Sequence, residues 1–190
     1  MYQSLPKGGE GDGFSLIEVM VATGILVVGM MAAALLMTTV YQQSARSRYM
    51  SMAATFASEK LEDLERWAPT DPNVSFPVGS TTVGSLTADT TANVGGGTVY
   101  YYDFVGMSTA NGTFTETIGS AGNYKTTIQD PDGHIDPTST AAPVSSTFER
   151  RWTIEKDQPV AGVRRITVLV TLLDNTVQPI VTFQMSAVRP

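Results

Sequence analysis

The sequence predicts an α+β protein, in which a long N-terminal helix packs on a C-terminal antiparallel β-sheet. No proline interrupts the chain between Pro6 and Pro69, so one helix can extend across that interval. Apolar residues in the second half of the interval recur at steps of three and four, as on an amphipathic helix. From Phe148 onward, apolar and polar residues alternate, as they do in half-buried antiparallel strands.

The composition limits the class of protein before any motif is considered. The 190 residues fit one ordinary domain plus an anchor. With 42% hydrophobic and 16% charged residues and a pI of about 4.7, the chain is too apolar for disorder. It is also too acidic for a nucleic-acid-binding protein, whose surface carries a basic patch. We therefore predict a folded domain and no nucleic-acid partner.

The sequence offers little for catalysis. It has no cysteine and a single histidine, His134, which excludes cysteine nucleophiles and metal sites built from several histidines. A Ser-His-Asp triad would depend on His134, and no G-x-S-x-G motif is present to hold a nucleophilic serine. We predict that the chain is not an enzyme and has no catalytic residue, metal or cofactor.

Residues 14–40 are predicted to form a transmembrane helix. No charged residue occurs between Glu18 and Arg46, and this uncharged stretch exceeds the roughly 20 residues that cross a bilayer as a helix. An ionised carboxylate in hydrocarbon costs several kcal/mol unless it is paired, so Glu18 is by default a functional residue. The alternative is a Glu18 that lies near the headgroups and reaches water.

Residues 41–68 are predicted to continue the helix as its amphipathic half. The acidic residues between 59 and 65 are expected on or beside a solvated face. Pro69 ends the helix, because the residue before a proline is disfavoured in the helical conformation. The apolar residues that define the buried face are Tyr49, Ala53, Phe56, Ala57, Leu61, Leu64 and Trp67.

The composition changes after the helix. Residues 69–97 are rich in Thr, Ser, Gly, Asp and Asn, which predicts a long variable surface loop. Residues 98–190 are predicted to form the antiparallel sheet, because runs of β-branched and aromatic residues alternate with turn residues. The predicted strands are 98–105, 113–118, 123–129, 148–156, 163–173 and 177–188.

The last three strands have the clearest alternation and predict an antiparallel meander. Its apolar face is expected to pack on Phe56, Leu61, Leu64 and Trp67 of the helix. The residues of that face are Phe148, Arg150, Trp152 and Ile154 in the first strand, Ile166, Val168, Val170 and Leu172 in the second, and Val181, Phe183, Met185 and Ala187 in the third.

The segment D-P-D-G-H-I-D-P, residues 130–137, partly mimics a calcium-binding loop. Asp130, Asp132 and Asp136 supply clustered carboxylates, which hard cations prefer. Aligned to an EF-hand, however, the first ligand falls on Ile128 and the twelfth on Ser139. We therefore interpret the segment as a turn in which Asp, Pro and Gly are present for their backbone preferences.

The segment G-F-S-L-I-E-V-M-V-A, residues 13–22, resembles the processing site of type IV prepilins and type II secretion pseudopilins. In that superfamily a polar leader ends in Gly and is followed by Phe and an apolar helix with Glu at its fifth position. Gly13, Phe14 and Glu18 match these positions. The resemblance implies a leader of residues 1–13, cleavage between Gly13 and Phe14 by a membrane-embedded prepilin peptidase, N-methylation of Phe14, and a pilin-like fold.

The resemblance also implies a role for Glu18 in filament assembly. In the family, the freed amine of one subunit and the carboxylate of a staggered copy pair within the filament, and a buried charge is tolerable when it is paired. The implied partners are the peptidase, the inner membrane, and other major and minor pilins or pseudopilins, reached through the N-terminal helix. The implied location is the inner membrane with a periplasmic C-terminal domain, and then the filament.

The charges around the span argue against this orientation. Lys7 precedes the span together with two acidic residues, whereas Arg46 and Arg48 follow it. The positive-inside rule alone would place the C-terminal domain in the cytoplasm, although long domains translocate largely regardless of charge. The alanines at 32–34 can also imitate an ordinary signal-peptidase site. We follow the prepilin motif and expect a periplasmic domain.

The runs R-R-W-T-I and R-R-I-T-V-L-V-T near the C-terminus, and F-A-S-E-K-L-E-D-L-E-R-W on the helix, resemble the PilV subgroup of minor pilins and the GspI-type minor pseudopilins. The resemblance implies a minor pilin of the pilus-modification type that is incorporated into, or primes, a type IV pilus. A minor pseudopilin of a type II secretion system is the alternative. A second alternative is an unprocessed single-span protein with a periplasmic binding domain.

Overall fold

The computed structural model describes residues 14–107, 112–120, 122–129, 135–139, 147–174 and 176–190, with the backbone alone for 135–139. Within these ranges one long helix is followed by ten strands. The helix α1 is Leu16–Arg66. The strands are β1 Thr82–Gly84, β2 Thr91–Val94, β3 Gly97–Tyr100, β4 Tyr102–Met107, β5 Phe114–Ile118, β6 Lys125–Gln129, β7 Ile135–Ser139, β8 Phe148–Lys156, β9 Arg164–Leu172 and β10 Thr182–Arg189.

The chain divides into two compact units, the first ending at Ser44 and the second being Ala45–Pro190. In the second unit, α1 packs one face against the antiparallel sheet, which confirms the predicted α+β class. At its end, Arg189 donates hydrogen bonds to the carbonyls of Glu65 and Trp67, which satisfies acceptors that a helix terminus leaves free. The buried helix residues are Ala53, Phe56, Ala57, Lys60, Leu61 and Leu64.

The main sheet has the strand order β10-β9-β8-β4-β5-β6-β7, and β1 also pairs with β8. Every pair in it is antiparallel. β8 has three partner strands: along one side it pairs with β9, and along the other it pairs first with β4 and then with β1. β2 and β3 form a separate two-stranded sheet.

The meander of β8, β9 and β10 confirms the alternation expected for the C-terminal strands. The predicted inward residues of β8 and β9 are all buried. On β10 the residues Phe183, Met185 and Ala187 are half-buried and pack against the core, and Val181 just before the strand is fully buried. The period of two therefore identified the correct face of each strand.

The prediction that 69–97 is a long surface loop is wrong in part. β1 pairs with β8 through Thr82–Gly84, and β2 pairs with β3 through Thr91–Val94. Val74 and Val83 are buried in the core. These strands are only three and four residues long, so they form because a partner strand supplies the hydrogen bonds and their own pattern is too short to reveal them.

The structure also differs from the predictions for one strand, for the start of the last strand and for Trp67. The predicted strand 98–105 is divided at Tyr101 into β3 and β4. The last strand begins at Thr182 and not at 177. Trp67, which was expected in the core, follows the last helical residue and is 38% exposed.

The segment considered for calcium lies largely outside the described residues, since Asp130, Asp132 and His134 belong to the undescribed part. Asp136 is placed in the backbone of β7. In the described portion of the chain, no group of three or more His, Cys, Asp or Glu residues is arranged to hold a metal ion.

Candidate functional site

The first half of α1 presents a continuous apolar surface. Its large apolar side chains between Phe14 and Tyr41 are from 50% to 85% exposed. Among the described residues, α1 is the one helix that is long and apolar enough to cross a membrane, and none of its most apolar stretch is buried. Exposed apolar surface of this extent marks a membrane or protein interaction site.

Glu18 lies at the start of this surface, in the first turn of α1. Its Oε2 accepts a hydrogen bond of 3.2 Å from the backbone N–H of Ser15, and the Ser15 carbonyl accepts the first helical bond from Val19. Ser15 is therefore the N-cap and Glu18 the third helical residue, which is one half of a capping box. The spacing S-x-x-E is visible in the sequence, but the capping role was not predicted from it.

Phe14 immediately precedes the helix and is 85% exposed. It borders, with Glu18 and Leu26, a shallow apolar groove along the helix surface. The structure thus brings two of the predicted site residues, Phe14 and Glu18, to the same surface. Gly13 lies outside the described residues, so the structure does not describe the predicted cleavage bond.

The carboxylate of Glu18 retains capacity to accept further hydrogen bonds. An ionised carboxylate has about four acceptor sites, and Ser15 occupies one of them. No cationic side chain of the described residues pairs with Glu18. Glu18 is therefore an exposed carboxylate within an apolar surface, and a positively charged partner must come from elsewhere.

A second cluster of charges lies in the other unit, between α1 and the sheet. We call the residues Lys60, Asp103, Glu116 and Arg150 the buried quartet. Asp103 Oδ2 lies 2.8 Å from Lys60 Nζ, and its Oδ1 lies 2.7 Å from Arg150 Nε. Glu116 Oε1 accepts from both cations, at 3.0 Å from Lys60 Nζ and 2.7 Å from Arg150 Nη2. Two cations thus meet two carboxylates.

Four different elements position the quartet. Lys60 belongs to the buried face of α1, and Asp103, Glu116 and Arg150 belong to β4, β5 and β8. Asp103 and Arg150 are directly opposite in the pairing of β4 with β8, so their side chains emerge on the same face. Arg150 Nη1 also donates to the Phe56 carbonyl at 3.4 Å, which links the strand to the helix backbone.

The charges of the quartet stabilise one another against burial. Burial alone raises the pKa of Asp103, but the nearby Arg150 and Lys60 outweigh it and hold the pKa well below its usual range. Burial lowers the pKa of Lys60 and of Arg150, and the facing carboxylates more than reverse this, so both pKa values are raised. All three groups stay ionised at neutral pH and fix α1 on the sheet.

Arg150 is the one member of the quartet that was predicted from the sequence to lie on the apolar face of its strand. No partner was predicted for it. Lys60, Asp103 and Glu116 were not predicted as site residues. One signal was present: a lysine at the buried spacing of Phe56, Lys60 and Leu64 needs a counter-ion. The sequence contained no signal that identified the carboxylates, because their proximity depends on strand order.

No protein-family model matches the chain, and no curated protein or solved structure matches it.

Proposed function

We propose that this chain is a minor subunit of a type IV pilus. In this proposal it enters the inner membrane through the first half of α1 and displays its α+β domain in the periplasm. Prepilin peptidase cleaves between Gly13 and Phe14 and methylates Phe14. The chain then joins, or primes, the filament through its N-terminal helix.

The observation that carries the proposal is the contrast between an exposed apolar stretch of helix and a well-packed domain formed around the continuation of that helix. An exposed surface of this kind requires lipid or other apolar helices around it. A filament subunit needs both environments, first the bilayer and then the neighbouring helices. The prepilin-like residues at the start of the helix favour this use over that of a simple anchor.

Glu18 supports the proposal through its free acceptor sites. It is exposed, and within the described residues its partner is a single backbone N–H. Burial of this carboxylate among other helices is favourable only with a cation. The new amine of Phe14 on a staggered copy is such a cation, and it would carry a positive charge at neutral pH.

The capping contact favours a second candidate function, that of a single-span membrane protein that is never processed. Because Glu18 accepts from Ser15, it has a role in starting α1 that needs no partner subunit. In this candidate the leader remains attached and the domain acts as a membrane-tethered binding module.

The first experiment is intact-mass and N-terminal peptide analysis of the protein purified from its own membranes. The proposal predicts a chain that begins at Phe14 and carries one additional methyl group. A chain that retains Met1 to Gly13, or that is cut after the alanines at 32–34, contradicts it. Co-purification with pili, as opposed to a secretion pseudopilus, distinguishes the pilus subunit from a pseudopilin.

The second experiment compares Glu18→Gln with Glu18→Ala in cells that assemble the filament. Gln keeps the capping contact but removes the charge, because either Glu or Gln serves at this position of a capping box. The proposal predicts normal insertion and cleavage of both variants and, for both, incorporation reduced by more than about tenfold, since each leaves the Phe14 amine unpaired.

Two outcomes separate the explanations. If Glu18→Gln is incorporated like the unmodified chain while Glu18→Ala is not, capping and not charge pairing is the role of Glu18. If both variants are incorporated normally, Glu18 has no part in assembly.

A further inference from the structure

The connector of residues 85–90, between β1 and β2, lies along the face of β8 that points away from α1. That face carries Glu149, Arg151, Thr153 and Glu155, which alternate with the buried residues of the strand. Leu86 of the connector borders the same groove as Thr153 and Glu155. Asp89 forms an ion pair with Arg151. The connector therefore contacts β8 through side chains.

Both ends of the connector are fixed by backbone contacts. Before it, β1 pairs with β8, and Gly84 has a φ of +80°, with Trp152 O only 2.1 Å from where a Cβ would be. Only glycine fits such a close approach. After it, the Thr90 carbonyl accepts a 3.0 Å hydrogen bond from the Tyr101 N–H. Any movement of the connector is thus confined to its middle, which includes Asp89.

The contact in the middle joins two carboxylates to one guanidinium. Arg151 Nε lies 2.8 Å from Asp89 Oδ1, and Arg151 Nη2 lies 2.8 Å from Glu149 Oε1. The Glu149 side chain is 9% exposed and that of Asp89 is 40% exposed. A single cation cannot neutralise two ionised carboxylates, and the more deeply buried one is the harder to keep charged.

The surroundings of Glu149 add no cation that would balance the second carboxylate. Its neighbours in the sheet are Phe104 on β4 and Thr171 on β9, and neither is charged. The charged or titratable groups on the same face are Arg151 on its own strand, Asp89 on the connector and Tyr102 on β4, and Asp103 on the opposite face of β4 acts on it through the sheet. Arg151 is the one cation in this set.

Burial is the main cause that raises the pKa of Glu149 to about 7, and the neighbouring Asp89 carboxylate adds to the rise. Arg151 opposes this rise but does not cancel it. Glu149 can therefore hold a proton near neutral pH while Arg151, 2.8 Å from both carboxylates, neutralises Asp89.

We propose that Asp89, Glu149 and Arg151 form a proton-operated latch, which holds the connector 85–90 against β8 when Glu149 is protonated and releases its middle when Glu149 ionises. In the closed state the Glu149 carboxyl donates its proton to Asp89. In the open state the two carboxylates repel each other, Arg151 remains with Glu149 on the same strand, and Asp89 moves into water because it is already the more exposed of the two.

The pH dependence of the latch follows from the linkage between proton binding by Glu149 and closure of the connector. The closed state binds the proton of Glu149 more tightly than the open state, in which Glu149 keeps Arg151 and loses the repulsion of Asp89. Lower pH therefore favours closure, and closure is lost as the pH rises through about 7. The latch does not depend on the proposed pilus function.

The test uses the full chain in detergent micelles, and the absence of cysteine from the sequence allows a single labelling site. Ala88, next to Asp89, is exposed, and Ala88→Cys carries a nitroxide whose mobility is measured by electron paramagnetic resonance from about pH 5 to about pH 9. We expect an immobile label at acidic pH and a mobile label at alkaline pH, with a midpoint near pH 7.

Two variants remove the latch in different ways. Glu149→Gln keeps a neutral donor toward Asp89 at every pH, so the label is expected to remain immobile throughout. Asp89→Asn removes the charge that repels ionised Glu149, and because this residue is exposed, the variant should fold even if the first one does not. We expect the pH transition to disappear in it as well.

Glu155→Gln is the matched control, since Glu155 lies on the same face of β8 but pairs with Arg165. We expect it to leave the transition unchanged. A label whose mobility does not change with pH in the otherwise unmodified chain overturns the latch. So does a transition near pH 7 that persists in Asp89→Asn, because another group must then control the connector.

Discussion

The apolar and charged side chains of the two halves of α1 lie in opposite surroundings. Before Ser44, the large apolar residues are exposed, and in the described part of the chain Glu18 has a single backbone partner. After it, Phe56, Leu61 and Leu64 are buried against the sheet, and Lys60 is enclosed with two carboxylates and a guanidinium. Both halves carry apolar and charged groups that need partners: the described residues supply them for the second half and do not supply them for the first.

This difference indicates which half of α1 needs partners from outside the described residues. The second half has an apolar cover, paired charges and a hydrogen-bonded end, so its requirements are satisfied internally. The first half lacks both a cover and a counter-ion among the described residues. Because of this difference between the two halves, lipid, neighbouring helices and a cation are expected as partners at the start of α1 and not in the α+β domain.

The largest effect is expected from Arg150→Ala. This change leaves Asp103 and Glu116 with one cation, and removing one partner from a buried ion pair costs about 3–5 kcal/mol. The free energy of unfolding of the second unit, followed in urea by tryptophan fluorescence, should fall by that amount. Arg165→Ala is the control, because the Arg165 side chain is 41% exposed and such pairs contribute only about 0–1 kcal/mol. Equal losses in both variants would mean that the quartet does not fix α1.

The next largest effect on the free energy of unfolding is expected from replacing a leucine in the second half of the helix, compared with a leucine in the first half. Leu64 is 3% exposed and Leu36 is 67% exposed. Leu64→Ala should lower the free energy of unfolding by about 2–5 kcal/mol, because it leaves a cavity in the core. Leu36→Ala should change it by less than about 0.5 kcal/mol. A large loss from Leu36→Ala would show that the first half of α1 is covered by the domain, contrary to the comparison.

A smaller effect is expected from acid. The pKa of Asp103 is lowered in the folded chain by Arg150 and Lys60, which outweigh burial, so its stabilising contribution is present above the unfolded pKa of about 4. It is lost as the pH falls toward the folded pKa, by an amount on the order of 2 kcal/mol. Unfolding measured from about pH 5 to about pH 2 should therefore show a shallower loss of stability in Asp103→Asn than in the unmodified chain. The same slope in both would assign acid sensitivity to other carboxylates.

The smallest effect is expected from Glu18→Gln on the stability of the domain. Because Gln preserves the contact with Ser15 and Glu18 lies in the other unit, the free energy of unfolding of the second unit should change by less than about 0.5 kcal/mol. The same urea titration provides the measurement. A measurable loss would mean that Glu18 supports the fold, and any assembly defect of the variant would then need to be corrected for it.

Much of the fold was predictable, because repeated local patterns specify it. The long helix, β5, β8 and β9 were expected within a residue or two of their observed bounds, since apolar spacing and alternation persist over many residues. β1 and β2 were missed because three or four residues hold no readable period. Phe14 and Glu18 were identified from spacing, whereas the buried quartet was not, since Lys60 and Glu116 are 56 positions apart.

By itself, the sequence determined where the uncharged apolar stretch lies, that a carboxylate stands at its start, and which face of each long strand is apolar. These properties depend on residues that are neighbours along the chain, and burial follows their period. Only the tertiary structure decided which charges meet: that Lys60 and Arg150 share Asp103 and Glu116, and that one guanidinium serves both Asp89 and Glu149. The energy of an ion pair depends on separation and burial in space, and strand order sets both.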